Sequence, residues 1–218
     1  MKCFAVDIDG PRLFAVCDGM GGHSAGEVAS LYVARALAAD AKSLADVSVI
    51  MQRLVALNDE LFDKAEREPA TCGMGTTVAG LLLCPDRTFF FNVGDSRIYR
   101  LQNGYLRQLS VDDSRSLLLE EEPHFGCTRE NWPGSSAISQ AIGGALERIG
   151  ITPHVGCETL YPASRYLICS DGLTDLIDID SMEACLRSAD DLTAVNELLM
   201  AALNNGGADN VSIILIST

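Results

Sequence analysis

Short apolar runs, continuous or alternating with polar residues, recur along the chain and predict β-strands. The predicted strands are Cys3 to Ile8, Leu13 to Cys17, Thr76 to Leu83, Thr88 to Val93, Arg97 to Leu101, Tyr105 to Leu109, Arg165 to Ser170 and Val211 to Ile216. Between two of them stands Asn103-Gly104, a dipeptide that favours the positive φ angles of a type I′ turn, so a hairpin is predicted there. Asp9-Gly10-Pro11 and Pro85-Asp86 mark similar turns.

Apolar residues at helical spacing predict helices between these strands. One helix begins near Ser24, a second runs from Val47 to Leu61, and a later one carries Leu192 to Ala202. The last ends at Asn204-Asn205-Gly206-Gly207, a typical C-terminal stop. Strands linked by hairpins and interrupted by helices indicate an α+β fold, in which helices cover antiparallel sheets. A parallel βαβ arrangement fits this order less well.

The segment 111–137 lacks such periodicity and contains the glutamates Glu120 to Glu122. This composition predicts an irregular, flap-like excursion over the surface. The excursion is either a functional loop or a tolerated insertion. The whole chain of 218 residues is 48% hydrophobic, which predicts a single domain over residues 1–218.

Composition excludes several classes of function. A formal charge of -14 opposes nucleic-acid binding. No apolar run approaches the roughly 20 residues that span a bilayer, so we expect a soluble, cytoplasmic protein without a membrane partner. The chain has 8 cysteines, several of them inside apolar strands, which favours reduced core residues over disulfides, and no pair has Cys-x-x-Cys spacing.

Aspartates stand where predicted strands end or begin. Asp18 follows the strand to Cys17 and precedes glycines, Asp95 follows Val93-Gly94, Asp171 follows Ser170, and Asp209 precedes the last strand. If the residues after Gly172 are helical, Asp175 lies one turn from Asp171 and can face the same ion. Carboxylate and carbonyl oxygens without thiolate or imidazole favour magnesium, manganese or calcium.

Five separated blocks now resemble, in order, the motifs of bacterial type-2C protein serine/threonine phosphatases. They are Asp18-Gly-Met-Gly-Gly-His with Gly26-Glu27 and Ala29-Ser30, Gly75-Thr76-Thr77, Gly94-Asp95-Ser96-Arg97, Ser170-Asp171-Gly172-Leu173-Thr174-Asp175, and Asp209-Asn210-Val211. The match spans nearly the whole chain, and its order makes it specific.

The resemblance implies a four-layer sandwich of two antiparallel sheets flanked by helices. It also implies two bridged Mn²⁺ or Mg²⁺ ions held by Asp18, the Gly19 carbonyl, Asp171 and Asp209. A third, looser ion is associated with Asp95, Asp171 and Asp175. The implied reaction is hydrolysis of phosphoserine and phosphothreonine in proteins, the substrates of Ser/Thr kinases in bacterial signalling, by a metal-bridging hydroxide. His23 is either a general acid or a surface histidine.

One rival motif lies in the same stretch. Gly22-His23-Ser24-Ala25-Gly26 matches the elbow of a serine hydrolase, with His124 and His154 as candidate bases. The elbow requires its serine at a strand-to-helix turn, whereas glycine-rich sequence separates Ser24 from the strand ending near Asp18. Ser24 is therefore the less favoured nucleophile.

Three departures from the family qualify the expected activity. An N-terminal element with an arginine and an Asn-Glu-Asp segment normally precedes the first strand, and this sequence begins too late to contain it. The common Asp-His-Ser motif is Asp112-Asp113-Ser114 here, and Gln140 replaces a later arginine. The alternative is a degenerate phosphatase-like domain that binds metal or a phosphorylated partner with little turnover.

Overall fold

The computed structural model describes residues 10–20, 23–44, 46–114, 138–188 and 190–218. In chain order the elements are β1 (Arg12–Val16), β2 (Gly19–Met20), α1 (His23–Asp40), α2 (Val47–Arg67), a 3-10 turn (Pro69–Thr71), β3 (Gly75–Thr76), β4 (Val78–Leu83), β5 (Arg87–Val93), β6 (Arg97–Gln102), β7 (Tyr105–Gln108), β8 (Ile142–Gly143), β9 (His154–Thr159), β10 (Arg165–Cys169), α3 (Asp171–Thr174), α4 (Ile179–Ser188), α5 (Asp191–Asn204) and β11 (Ile213–Ser217). The predicted strand Cys3 to Ile8 and most of the segment 111–137 lie outside the described residues.

The strands form two four-stranded antiparallel sheets and one small sheet. Sheet 1 has the order β1-β4-β5-β9, sheet 2 has the order β11-β10-β6-β7, and the small sheet is β2-β3-β8. The predicted hairpin joins β6 to β7, and its turn residues Asn103 and Gly104 have φ angles of 52 and 81, as a type I′ turn requires.

Three apolar cores separate four layers. Val78 and Leu82 of β4 face α1 and α2, while Ala79 and Leu81 of the same strand face sheet 2. In β10, Ile168 packs between the sheets, and its neighbours on either side join a third core with α4 and α5. The alternation follows from the period of two in a strand. The predicted α+β four-layer sandwich is confirmed.

An N-terminal cap and a buried apolar face stabilise the long helix α2. Asp46 caps α2 by accepting a hydrogen bond from the Val49 N–H (2.9 Å), an interaction typically worth about 1 kcal/mol. The apolar face of α2 is buried against sheet 1, with Ile50, Leu54, Leu57 and Leu61 at most 1% exposed. None of the described helices is both long and apolar enough to cross a membrane.

The elements predicted from the sequence differ from those of the structure in some of their boundaries and in their number. The predicted strand Thr76 to Leu83 is divided at Thr77, so that its first residue belongs to the small sheet and the remainder to sheet 1. Helix α4 and strands β2, β8 and β9 were not predicted. The strand predicted to open at Val211 begins instead at Ile213.

Candidate functional site

Strand register brings the aspartates to one edge of the sandwich. In sheet 1, Val16 at the end of β1 and Val93 at the end of β5 both lie across from the start of β4. In sheet 2, Cys169 at the end of β10 pairs with Arg97 and Ile213, the first residues of β6 and β11. The residues that follow or precede these positions therefore meet at this edge. They are Asp18, Asp95, Asp171 and Asp209.

Burial and mutual repulsion disfavour the ionised form of these carboxyl groups. The pKa of Asp18 is raised from 3.8 to about 6, first by burial and then by the charges of Asp171 and Asp209. The pKa of Asp95 is raised to about 7 by burial and by Asp171, with smaller contributions from Asp112 and Asp175. For both groups, the neighbouring charges that raise the pKa belong to carboxylates.

Asp171 lies at the centre of this group. Its pKa is raised by burial and by the charges of Asp175 and Asp209. Its Oδ1 atom is buried and has no hydrogen-bond partner in the part of the chain that the structure describes. The backbone N–H of Asp175 donates to the Asp171 carbonyl (2.8 Å), so the predicted helical turn between the two is present.

Thr76 and Thr77, which follow Gly75, fix the backbone of Asp18 through hydrogen bonds. Thr77 donates its N–H to the Asp18 carbonyl (2.8 Å), and its hydroxyl accepts from the Asp18 N–H (3.1 Å). The hydroxyl of Thr76 donates to the same carbonyl (2.9 Å). These threonines belong to a recognised motif, but the sequence alone assigned no role to them; they orient Asp18.

Two glycines allow a close approach between chain segments at the site, namely between β2 and α1 and between α3 and the residues before β11. A Cβ atom on Gly19 would lie 2.2 Å from the carbonyl oxygen of Gly26, so β2 and α1 approach at a distance that only glycine permits. A Cβ atom on Gly172 would lie 2.3 Å from the carbonyl oxygen of Asn210. This second contact places the exposed Asp209 beside the N-terminus of α3.

Ser170 reinforces the second contact. Its hydroxyl donates to the Asn210 carbonyl (3.2 Å) and accepts from the Ser212 N–H (3.0 Å), so the segment before β11 is held against Asp171. Asp209 itself accepts from the Asn210 N–H (2.6 Å). Among the described residues, no three His, Cys, Asp or Glu side chains already stand in a group that could hold a metal ion.

Arg97, from one of the matching blocks, and Gln140, which replaces an arginine, both have structural partners. Arg97 forms an ion pair with Asp112, in which its Nη2 and Nε both contact Oδ2 (2.6 and 2.8 Å), and its Nη1 lies 3.4 Å from the Tyr99 hydroxyl. The side chain of Gln140 makes two 2.9 Å hydrogen bonds with the backbone of Thr152. Both side chains therefore hold loops together.

The residues of the serine hydrolase motif do not form a hydrolase elbow. Ser24 lies one residue inside α1, which begins at His23, rather than directly at a strand end. His154, one of the two candidate bases, lies in β9 and contacts Asp113 (2.9 Å). His124 lies outside the described residues.

Comparison with known families bears on the same motifs. The model of the family described as Protein phosphatase 2C matches residues 2–205. The chain belongs to the protein phosphatase 2C family. The family assignment made from the ordered sequence blocks is therefore confirmed.

The chain covers most of the length of some curated relatives and less than half of others. Serine/threonine protein phosphatase PstP of Mycobacterium tuberculosis is 34% identical over 210 residues, which are 94% of this chain and 40% of that protein. The chain thus spans 40% of the length of this relative. Serine/threonine phosphatase stp of Listeria monocytogenes is 33% identical over 223 residues, 95% of this chain and 85% of that protein.

Solved structures of family members share the fold. The catalytic domain of PstP, determined in complex with 2 manganese ions, has a TM-score of 0.79 at 30% identity and covers 98% of this chain and 94% of that chain. Stp1 from Staphylococcus aureus has a TM-score of 0.82 at 27% identity, covering 100% of this chain and 87% of that chain.

Proposed function

We propose that the chain hydrolyses phosphoserine and phosphothreonine in proteins with the help of divalent metal ions. One observation carries the proposal: half-buried and exposed aspartates from the ends of both sheets meet at one edge, where their charges raise the pKa of Asp18 and Asp171, and Oδ1 of Asp171 is buried without a hydrogen-bond partner among the described residues. Such a group gains most from a cation, because a bound cation removes the repulsion between the carboxylates.

The donor atoms fit Mn²⁺ or Mg²⁺. Carboxylate and carbonyl oxygens are the ligands that these hard cations prefer. Asp18, the Gly19 carbonyl, Asp171 and Asp209 would hold two ions, and Asp95, Asp171 and Asp175 would hold a third. The side chains would have to rotate towards a common point as metal binds. When bound, the ions supply charge neutralisation for the phosphoryl group and lower the pKa of coordinated water.

The chain's own residues supply orientation. The hydroxyls of Thr76 and Thr77 fix the backbone of Asp18, and Ser170 fixes the segment that precedes Asp209. Rigid support of this kind positions ligands within the tolerance that catalysis requires. His23 opens α1 next to the glycine-rich sequence, and we retain it as a candidate proton donor to the leaving alcohol.

Thiol chemistry does not compete with this proposal at the site. Cys17 precedes Asp18, and burial raises the pKa of its thiol to about 12, so that the nucleophilic thiolate is scarce at neutral pH. The described cysteines are free, which supports a reducing, cytoplasmic location. We further propose one catalytic domain over residues 1–218, a surface flap over 111–137, and proteins phosphorylated by a signalling Ser/Thr kinase as substrates.

Phosphopeptide hydrolysis by three variants tests the proposal. Asp18→Asn should abolish Mn²⁺-dependent release of phosphate, and chelation of the metal should do the same to the unaltered protein. Ser24→Ala, which removes the rival nucleophile, should retain activity. Asp86→Asn, in the exposed turn between β4 and β5, is the matched control for loss of one carboxylate. Activity in Asp18→Asn together with inactivity in Ser24→Ala would instead establish a serine hydrolase.

A further inference from the structure

Asp113 joins three separate segments of the chain beside the turn that carries Asp95. Its N–H donates to the Gly94 carbonyl (3.0 Å), and its Oδ2 atom accepts from the Gly94 N–H (2.8 Å). Its carbonyl accepts from the Ser139 N–H (2.8 Å). Its Oδ1 atom lies 2.9 Å from Nε2 of His154 in β9. The N–H, the carbonyl and both carboxylate oxygens of Asp113 therefore each have a polar partner.

The surroundings make these contacts energetically important. Asp113 is 7% exposed, and a carboxylate buried to that degree is costly unless it is hydrogen-bonded or paired. Gly94 and His154 supply those partners, one to each oxygen. The segment that carries Asp113 is itself fixed, because the side chain of Asn92 bonds the Val111 carbonyl (2.6 Å) and the Val111 N–H (3.1 Å).

The turn held in this way has little freedom of its own. Gly94 has a φ of 98, and a Cβ atom there would lie 2.7 Å from Cγ2 of Thr77. Its N–H and its carbonyl are both bonded to Asp113, and that carbonyl belongs to the peptide group that joins Gly94 to Asp95. The position of Asp113 therefore constrains the backbone from which the Asp95 side chain projects.

We propose that Asp113 and His154 are a positioning pair that fixes the Gly94-Asp95 turn and thereby orients Asp95 towards a metal ion. The proposal rests on the proposed function for the identity of that ion. Asp113 stands at the middle position of Asp112-Asp113-Ser114, in the segment after β7, and His154 is the first residue of β9.

The two members of the pair can be exchanged, and this provides the test. The variants are Asp113→Ala, His154→Ala and the double exchange Asp113→His with His154→Asp, with Asp86→Asn as the control. Amide hydrogen exchange of the metal-free protein reports on the Gly94 N–H. Titration with Mn²⁺, followed by the electron paramagnetic resonance of the free ion, reports on metal binding.

Asp113→Ala removes a hydrogen bond to a charged acceptor, so exchange of the Gly94 N–H should become about tenfold faster or more. The Mn²⁺ concentration that half-saturates the weakest site should rise by a similar factor. His154→Ala should shift both measurements in the same direction by less. The double exchange should recover most of both losses, because an imidazole nitrogen can accept from the Gly94 N–H while its other nitrogen donates to the new carboxylate.

Three results would overturn the proposal. One is unchanged exchange at Gly94 in Asp113→Ala. Another is faster exchange throughout the protein with unaltered Mn²⁺ binding, which would make the pair a general stabilising contact. The third is a double exchange no better than the single variants, and this comparison still decides if Asp113→Ala fails to fold. Absence of Mn²⁺ binding in the unaltered protein would refute the proposed function, while exchange at Gly94 would still test the pair.

Discussion

The hydroxyl of Thr77 lies 2.8 Å from the hydroxyl of Ser96, and this contact connects the residue between β3 and β4 with the turn between β5 and β6. The same Thr77 oxygen accepts a hydrogen bond from the Asp18 N–H (3.1 Å). Thr77 and Ser96 are 2% and 1% exposed, so water cannot replace either bond. One side chain therefore couples Asp18, between β1 and β2, to the residue that follows Asp95.

Thr77→Val should destabilise the protein by about 1 to 3 kcal/mol, because the variant keeps the shape of threonine and leaves buried polar groups of Asp18 and Ser96 unsatisfied. Urea unfolding in the presence of a chelator measures this loss without metal effects. Thr77→Ser is the control, since it retains the hydroxyl and should lose much less. A loss in Thr77→Val no larger than that in Thr77→Ser would show that the hydroxyl contributes no more to stability than the methyl group does.

Gly172→Ala should also be strongly destabilising. The added Cβ atom would lie 2.3 Å from the Asn210 carbonyl oxygen, and relief of that clash must separate Asp171 from Asp209. Overpacking of this kind typically costs about 1 to 3 kcal/mol. Mn²⁺ affinity should fall as well, which calorimetric titration can measure.

Gly150→Ala is the matched control for that substitution. No atom lies within 4 Å of a Cβ placed there, so the free energy of unfolding should change by no more than about 0.5 kcal/mol. A similar loss in both variants would show that the Gly172 contact has no special importance. A stable Gly172→Ala variant with normal metal affinity would contradict the close approach itself.

The stability of the metal-free protein should decrease as the pH rises from about 4 to about 7. The pKa values of Asp18 and Asp95 are about 6 and about 7 in the folded protein, above the ordinary 3.8, so the folded state binds protons more tightly than the unfolded chain. Stability from these groups is therefore fully present below their unfolded pKa and is lost as the pH rises through the folded values.

Replacement of both groups by neutral isosteres tests this dependence. Urea unfolding of the unaltered protein and of Asp18→Asn with Asp95→Asn is compared at about pH 5 and about pH 7.5 in chelator. The double variant should lose less stability between the two pH values, because its amides do not titrate. Parallel curves for the two proteins would show that the carboxyl groups titrate normally.

The sequence was sufficient to predict the layers of the fold, since the apolar strands and the amphipathic α2 have strong periodic patterns. It missed β9, whose sequence His154 to Thr159 contains a glycine and no sustained alternation. This strand lies at the edge of sheet 1, where partial exposure weakens the constraint on side-chain polarity. The two-residue strands β2 and β8 are too short for any period to be detected.

The aspartates of the site were predicted for a different reason, namely the repetition of acid and glycine at successive strand ends. Their supports were not predicted. The contact between Asp113 and His154 spans 41 positions of sequence, and that between Asp18 and Thr77 spans 59. Such pairs depend on how the strands are ordered in the sheets, and no local pattern specifies that order.

Divalent metal should raise the melting temperature of the protein, because ions that bind only the folded state shift the equilibrium towards it and relieve the repulsion around Asp171. At about 100 times the dissociation constant the expected gain is about 2.7 kcal/mol, which corresponds to roughly 5 to 10 °C for a chain of this size. Differential scanning fluorimetry with Mn²⁺, Mg²⁺ and chelator measures it. Asp171→Asn should lose most of the gain, since Asp171 belongs both to the ligands proposed for the two ions and to those proposed for the third, whereas Asp86→Asn should retain it. A melting temperature unaffected by millimolar Mn²⁺ would exclude a metal site at this edge of the sandwich, and an equal gain in both variants would locate the metal elsewhere.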